Sequence, residues 1–456
     1  MITIIIITQF TMSKVEFGER LAKSTHNFSA QSLNHQSQAK IQAKGNFDTD
    51  IAIIGAGVHA LTLTMHLLQK RQDLREKILV FDPSGDWLTQ WHRQLAAQEI
   101  PHLRSPIVHH PDPNPFALRC FAENRPNELF PPYDLPSTKL FRDFCHQAIA
   151  SQQLSERLMA AKVISLEPIL SPRRGFRLGL SHGKSITAKR VILATNNSIK
   201  QIPDWVERIA PNYPSDRLVH SSDLNLASQR LAGETILIVG GGLTSGHLAL
   251  GAIARGAKVL LLSRRQFKEK LFDADAGWLG PKYLKGFHAE TDWEKRREMV
   301  LTARDGGSMT PSVMTQLRRE HHHGKLEFHP ECEVAQAQWH GSNWQIICTD
   351  GMELTCDRLW LATGTKFDAK AEPLLQQIME QYPQPLINGF PILDEHLRWH
   401  GCELFIMGGL AALRVGPTAR NISGARMASD RIVPALIKST IRSVYSSPPK
   451  RSLKSL

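Results

Sequence analysis

Apolar residues fall into short runs punctuated by glycine, and the clearest run is Asp50-Ile51-Ala52-Ile53-Ile54-Gly55-Ala56-Gly57-Val58-His59-Ala60. A continuous apolar run entering Gly-x-Gly predicts a buried parallel strand that turns sharply into a helix. Val58 to Gln69 continues the pattern, with Leu61, Met65 and Leu68 on one helical face. Lys77 to Phe81 then reads as a second parallel strand ending at Asp82. The same order returns at Thr235, where TILIV leads into Gly240-Gly241-Gly242-Leu243-Thr244-Ser245 and a helix, followed by the strand Lys258 to Leu262 and then Ser263-Arg264-Arg265. A unit that occurs twice in one order predicts two α/β domains of the same plan.

The segments between follow from the same reading. Trp87 to Pro136 is dense in proline, histidine and aromatics, which argues against long regular elements and for a loop lining a site. Ser137 is a helix cap for Leu140, Phe144 and Ile149. Short strands are expected near 162–166, 176–180 and 190–193, and again near 333–338, 344–348 and 358–361. Two of them end alike, in Ala194-Thr195 and Ala362-Thr363-Gly364. A long segment, 266–329, interrupts the second unit and reads as a charged helical cap, with Trp278, Gly280, Pro281 and Tyr283 in a turn facing substrate. Near the end, a glycine-rich turn at Gly416-Pro417 precedes a last helix running to Ile437.

Each glycine turn has the chemistry of a dinucleotide site. Gly55 allows the tight turn, Gly57 lets the backbone approach a pyrophosphate, and small Ala60 lets the helix pack close, so that its N-terminal N–H groups face the phosphates. Gly240, Gly242 and Ser245 repeat these roles. The two units differ at the tip of the second strand. Asp82 suits ribose hydroxyls and repels a 2′-phosphate, as the ADP half of FAD requires, whereas Arg264 and Arg265 suit the 2′-phosphate of NADPH. A turn-forming Asp before Pro83, and plain surface arginines, are the alternative readings. Gly364 allows a backbone crossing near the flavin domain, and the last helix, starting near Gly416, offers its N-terminus to a reduced flavin ring or simply packs.

Composition narrows the class. The chain has 456 residues, enough for two or three domains, and a formal charge of +12 spread along its length. That charge reads as a solvated surface that attracts anionic cofactors; no zinc-finger or RNA-binding signature supports nucleic acid. Six cysteines without a CxxC fit reduced thiols in a cytoplasm, and remove the disulfide reductases that need a close redox pair. The isoleucines of Met1 to Phe10 are too few to span a membrane and lack a signal-peptide pattern; Met12 is a second candidate start. Neither the histidines of 87–136 nor His321-His322-His323 have ligand spacing, so no metal is expected. No Ser-His-Asp or paired-carboxylate arrangement is visible.

Taken together, GAGVHA, Trp91-His92, Leu103-Arg104-Ser105, PFALRCFAE, Pro136-Ser137, VHSSD at 219–223, GGGLTS and the pattern Asp357-xxx-Leu361-Ala362-Thr363-Gly364 resemble the N-hydroxylating flavin monooxygenases, the lysine and ornithine N-hydroxylases of siderophore synthesis. The resemblance covers roughly 50–364. It departs at Val58-His59, where the family has proline, at Thr365, where it has tyrosine, and in the segment after Arg265; the GPTARN turn has no counterpart in the family's motifs. It implies FAD held by Gly55, Gly57, Ala60 and Asp82, with Trp91 and Ser105 along the loop over the isoalloxazine, and NADPH held by Gly240, Gly242, Ser245, Arg264 and Arg265. It also implies a reaction order: NADPH reduces FAD, oxygen adds at flavin C4a, and the peroxyflavin passes one oxygen to a nitrogen or sulfur of a small molecule.

The expected architecture is therefore α/β, with two Rossmann-like dinucleotide-binding domains, the second inserted in the first. Residues 49–232 and 358–440 form the FAD domain and 233–357 the NADPH domain, between a disordered tail at 1–48 and a basic flexible tail at 441–456. The expected partners are a small-molecule substrate and oxygen, with no nucleic acid or membrane; a homo-oligomer stays open. The alternatives are an NADPH-dependent flavin oxidoreductase without oxygen insertion and a non-catalytic flavin-binding sensor.

Overall fold

The computed structural model describes residues 47–171, 173–195 and 198–437. Two compact units divide the chain, 1–48 and 49–456; everything below concerns the second. The two expected tails, apart from Phe47 and Asp48, lie outside the described residues.

The principal elements up to the first crossing are β1 (Thr49–Ile54), α1 (Val58–Lys70), β2 (Ile78–Asp82), α2 (Thr89–Ala97), α3 (Thr138–Ser151), β3 (Leu158–Ala160), β4 (Val163–Ile169), β5 (Gly175–Leu180) and β6 (Ser185–Leu193). They are followed by β7 (Leu218–His220), β8 (Thr235–Val239), α4 (Leu243–Ile253), β9 (Lys258–Ser263), α5 (Pro281–Ala289), α6 (Trp293–Arg304), α7 (Pro311–His322) and β10 (Leu326–Pro330). The chain closes with β11 (Val334–Trp339), β12 (Trp344–Cys348), β13 (Glu353–Cys356), β14 (Arg358–Leu361), β15 (Leu404–Ile406) and α8 (Ile422–Ile437).

The first sheet has a parallel core in the order β3-β2-β1-β6-β15, and the antiparallel β4 and β5 extend from the N-terminal half of β6. The second is wholly parallel, β10-β9-β8-β14-β7, beside an antiparallel meander β11-β12-β13. The internal repeat is thus a repeat of topology: each sheet places its glycine-turn strand third of five. The second sheet runs from 218 to 361, so it extends past both boundaries read from the sequence. Leu218–His220 pairs with β14 because its apolar face completes that sheet. Asp357, which opens the DxxxLATG pattern, accepts a 2.7 Å hydrogen bond from Thr235 N at Oδ2, and its own N–H donates to Thr235 O. It pins the start of β8.

Strand alternation explains the layers. Ile236 and Ile238 of β8 and Trp360 of β14 face α4 and α7, while Leu237, Leu359 and Leu361 face the meander, with Trp344 wholly buried between. Gly246 of α4 lets α7 come close: a Cβ there would sit 2.6 Å from Val313 Cγ1. Ser137 caps α3 as expected, accepting from Leu140 N at 2.9 Å.

Three expectations change. Thr89–Ala97 is helical, because its first proline comes only at Pro101. The 266–329 segment is two things. Pro311–His322 is the ordinary crossover helix of the second sheet, its Val313, Met314 and Leu317 in that core, while Trp278, Phe287 and Val300 join the core of the first sheet. Trp278 is accordingly buried against Tyr283 and Phe287 instead of facing a cleft. Finally, the last helix begins at Ile422, because Gly416 at φ +98° ends a short helix and Pro417 to Arg420 form a turn.

Candidate functional site

Both glycine turns are shaped by contacts that only glycine tolerates. Gly55 adopts φ +96° and donates to Phe81 O at 2.8 Å, and a Cβ there would lie 3.0 Å from Ala194 O. Gly240, at φ +145°, donates to Leu262 O, and its Cβ would lie 2.4 Å from Ala362 O. Each turn is therefore wedged against one of the two Ala-Thr strand ends noted in the sequence.

The next glycine has the opposite character. Gly57 and Gly242 are the N-caps of α1 and α4, both extended, neither helix has a side-chain cap, and a Cβ on either would meet nothing within 4 Å. The first N–H groups of each helix are thus left for something other than the chain's own side chains, and the helix dipole favours an anion there. Ala60 is wholly buried, and Ser245, also buried, bonds back to Gly242 O at 2.6 Å. These are cradles of the shape a dinucleotide pyrophosphate needs.

The strand tips differ in charge as the sequence indicated. Asp82 Oδ2 accepts from Ala56 N at 3.1 Å, and Oδ1 accepts from Ser84 N at 2.9 Å and Ser84 Oγ at 2.6 Å, so the carboxylate stands on the rim of the first turn. Beyond the second, Ser263 is buried while Arg264 and Arg265 are exposed. Gly364, at φ +82°, lies where the crossing strands Ile199–Lys200 and Thr365–Lys366 pair; its carbonyl accepts from Gln201 N at 3.0 Å and faces His220 Nε2 at 3.2 Å. Trp91 sits on α2, not in a loop, with its ring 5.1 Å from that of Phe141. Ser105 follows Arg104, whose guanidinium donates to Leu271 O, Lys270 O, Ser308 O and Ser308 Oγ at 2.7 to 3.1 Å. Gly416 lies under Leu284, Phe287 and Trp278, six residues before α8 begins.

A cluster not read from the sequence joins these parts. Asp273 Oδ2 accepts from Arg304 at 2.7 Å and Oδ1 from Asn421 at 3.0 Å. Burial acts to raise this carboxyl, but Arg304, Arg104 and Arg420 outweigh it and hold it below the usual range. Arg420 touches solvent yet is crowded by protein, and desolvation, with neighbouring Arg304, pulls its guanidinium down to about 10. Its backbone is the neighbour of His59, in the first turn of α1, where neither ring nitrogen makes a well-formed hydrogen bond. Two of the places where family resemblance thins, Val58-His59 and GPTARN, therefore meet beside the first glycine turn. The sequence signal for Arg420 and Asn421 was a glycine-proline turn just ahead of a helix. Cysteines scattered in sequence also meet: Cys332 Sγ, Cys348 Sγ and an Asp350 carboxylate oxygen lie within 4.8 Å of one another. Burial pushes the Cys348 thiol up to about 12.

Burial pulls His59, His109 and His247 each down to about 4 from an ordinary 6.5. Above pH 6.5 they are neutral in folded and unfolded chains alike. Below it the unfolded chain binds protons that the folded chain refuses, so stability falls from pH 6.5 to about 4 and these groups add nothing further below. The expected loss is roughly 3 kcal/mol per histidine over that window. Denaturant midpoints at pH 7.5 and 5.2, where carboxylates are still ionised, measure it; His59→Gln should flatten the slope, and an unchanged slope would assign the loss elsewhere.

A family model described as FAD-NAD(P)-binding matches residues 52–198. No curated protein matches the chain. Among solved structures, the reduced ornithine hydroxylase of Pseudomonas aeruginosa is 15% identical, covers 85% of this chain and 98% of its own, and superposes with a TM-score of 0.68. The cadaverine monooxygenase of the desferrioxamine pathway of Erwinia amylovora, bound to FAD, gives 14%, 86%, 95% and 0.69. The bacillithiol disulfide reductase of Bacillus cereus gives 14%, 85%, 98% and 0.52. The chain has the fold these three proteins share.

Proposed function

We propose that this protein is an FAD- and NADPH-dependent monooxygenase that hydroxylates a nitrogen of a small molecule, with sulfur the less favoured atom. The observation that carries the reading is the pair of uncapped glycine turns with opposite charge at their strand tips, Asp82 against Arg264 and Arg265. The fold agrees, since amine hydroxylases superpose on the chain at 0.68 and 0.69.

In this reading the N–H groups that follow Gly57 bind the FAD pyrophosphate, Asp82 accepts from the ribose hydroxyls, and Ala60 keeps α1 close to β1. Gly240, Gly242 and Ser245 form the matching seat for NADPH, with Arg264 and Arg265 on its 2′-phosphate. Gly364 carries the chain between the domains 49–232 plus 358–440 and 233–357, adjusted for the observed second sheet. When bound, the flavin supplies the redox chemistry, taking a hydride from NADPH and making oxygen reactive toward the substrate. The chain's own residues orient and exclude water: the loop at Ser105 and helix α2 with Trp91 border the first site. His59, neutral at pH 7, borders the pyrophosphate without adding charge.

An oxidoreductase that inserts no oxygen is the second reading, favoured by the disulfide reductase that shares the fold at 0.52. The cysteines that meet here, Cys332 and Cys348, lie in the second sheet's meander region with raised pKa values, a poor setting for thiolate chemistry. Among the described residues no helix is long and apolar enough to cross a membrane.

The test is direct. The purified protein should carry flavin absorbance, NADPH should bleach it, and air should restore it. A panel of lysine, ornithine, diamines and thioethers is then scored for NADPH use and oxygenated product. Protein that binds no flavin even when reconstituted would refute the proposal. NADPH consumption without oxygenated product across the panel would favour the second reading.

A further inference from the structure

The cations near the second strand tip extend beyond the two arginines. After Arg265 the chain runs alongside 308–310, with Lys270 N donating to Met309 O and Met309 N to Lys268 O, both at 2.9 Å. Lys268 and Lys270, two residues apart, project to one side, and their Nζ atoms reach the same oxygen, Asp305 Oδ2, at 2.5 and 3.2 Å. Arg265 Nη1 stands 3.8 Å from Asp305 Oδ1. Its guanidinium lies so tightly on Gly306 that a Cβ there would fall 1.5 Å from Nη2. Next in the chain, Gly307 reaches the second glycine turn, where its Cβ would lie 3.4 Å from Gly242 Cα. Asp305, Gly306 and Gly307 all have positive φ, which gives this turn its close approach.

One carboxylate thus sits among three cations at the place where a 2′-phosphate would be read, and the turn that carries it abuts the pyrophosphate cradle. Three positive charges around one negative leave an excess that a phosphate dianion satisfies better than a single carboxylate does. We propose that Arg265, Lys268 and Lys270 form an extended seat for the 2′-phosphate of the dinucleotide, and that Asp305 is a built-in competitor that occupies this seat until the phosphate displaces it. The proposal rests on the NADPH reading above and adds to it a residue that lowers affinity for the phosphorylated cofactor while keeping the empty seat ordered. The ion pairs that hold Asp305 are partly exposed, so its displacement needs no core rearrangement.

The experiment is calorimetric titration of the full-length protein with 2′,5′-ADP and, separately, 5′-AMP. Asp305→Asn and Asp305→Ala should bind 2′,5′-ADP about tenfold more tightly than the parent and 5′-AMP unchanged, while Asp305→Glu, which keeps the charge, behaves as the parent. Lys268→Ala with Lys270→Ala should weaken 2′,5′-ADP by about tenfold. Weaker or unchanged 2′,5′-ADP binding in both charge-removing variants would overturn the proposal. So would an equal gain for 5′-AMP. If, in that event, Arg264→Ala with Arg265→Ala still weakens 2′,5′-ADP selectively, the NADPH reading stands and only the role of Asp305 falls; if it does not, both fall.

Discussion

Replacing Gly57 by valine is expected to yield a folded protein that purifies without flavin. The backbone at Gly57 is extended, with φ −79° and ψ −177°, a region valine favours, and a Cβ there meets nothing within 4 Å. The cost to the fold is that of a poorer N-cap, about 1 kcal/mol or less. The open space is the point of the prediction, because the branched side chain would fill the place from which a pyrophosphate reaches the first N–H groups of α1. Loss of two charge-assisted hydrogen bonds at roughly 1.5 to 3 kcal/mol each weakens binding by about 10² to 10⁴-fold. Gly55→Ala is the contrasting variant. With φ +96° and the carbonyl of Ala194 at 3.0 Å, it should damage the fold itself. Flavin absorbance per mole of protein, read beside thermal unfolding, separates the two. Bound ligand raises the melting temperature by mass action, so Gly57→Val is compared with flavin-stripped parent. A Gly57→Val protein with a full complement of flavin would remove the first turn from the site.

Local chemistry made the glycine turns legible. Strand, turn and helix at Gly55 and Gly240 are encoded within about a dozen residues each, and the charge contrast of Asp82 with Arg264 and Arg265 needs only a count along the chain. What depends on contacts between distant residues was not legible. Arg304, Asp273, Asn421 and Arg104 come together from four segments, as do Cys332 and Cys348 from the two sides of a meander. Pro311–His322 has the same charged, amphipathic pattern whether it caps a cleft or crosses over a sheet; only its packing on Gly246 decides. Trp278 shows the reverse error, an aromatic in a glycine-proline turn read as facing a cleft when its ring completes the first core. Gly416-Pro417 resembles a helix N-terminus in sequence, but the positive φ of Gly416 closes the preceding short helix and α8 starts only at Ile422.

The double substitution Arg264→Ala and Arg265→Ala should change cofactor preference more than any other surface change. Both side chains are exposed, and Arg265 retains 44% of its side-chain accessibility, so each phosphate contact is discounted to about 1 to 2 kcal/mol from the value of a buried charge-assisted bond. Two such contacts give a loss of about 30 to 1,000-fold for NADPH. NADH, which lacks the 2′-phosphate, should move by less than about threefold, since nothing it carries reaches these guanidinium groups. Raising the salt from 50 to 500 mM should shrink the difference between parent and variant, because the Debye length that screens exposed charges falls from about 14 Å to about 4 Å. Arg264→Lys with Arg265→Lys should fall between, keeping the charge and losing the two-pronged geometry. Fluorescence titration with both nucleotides reads all of this directly. The Asp305 turn also predicts its sign in this background: with Arg265 gone, Lys268 and Lys270 hold Asp305 alone, so Asp305→Asn should recover part of the lost NADPH affinity. Equal losses for NADPH and NADH would show that the arginines shape the second turn as a whole, and the assignment of the 2′-phosphate to them would fail.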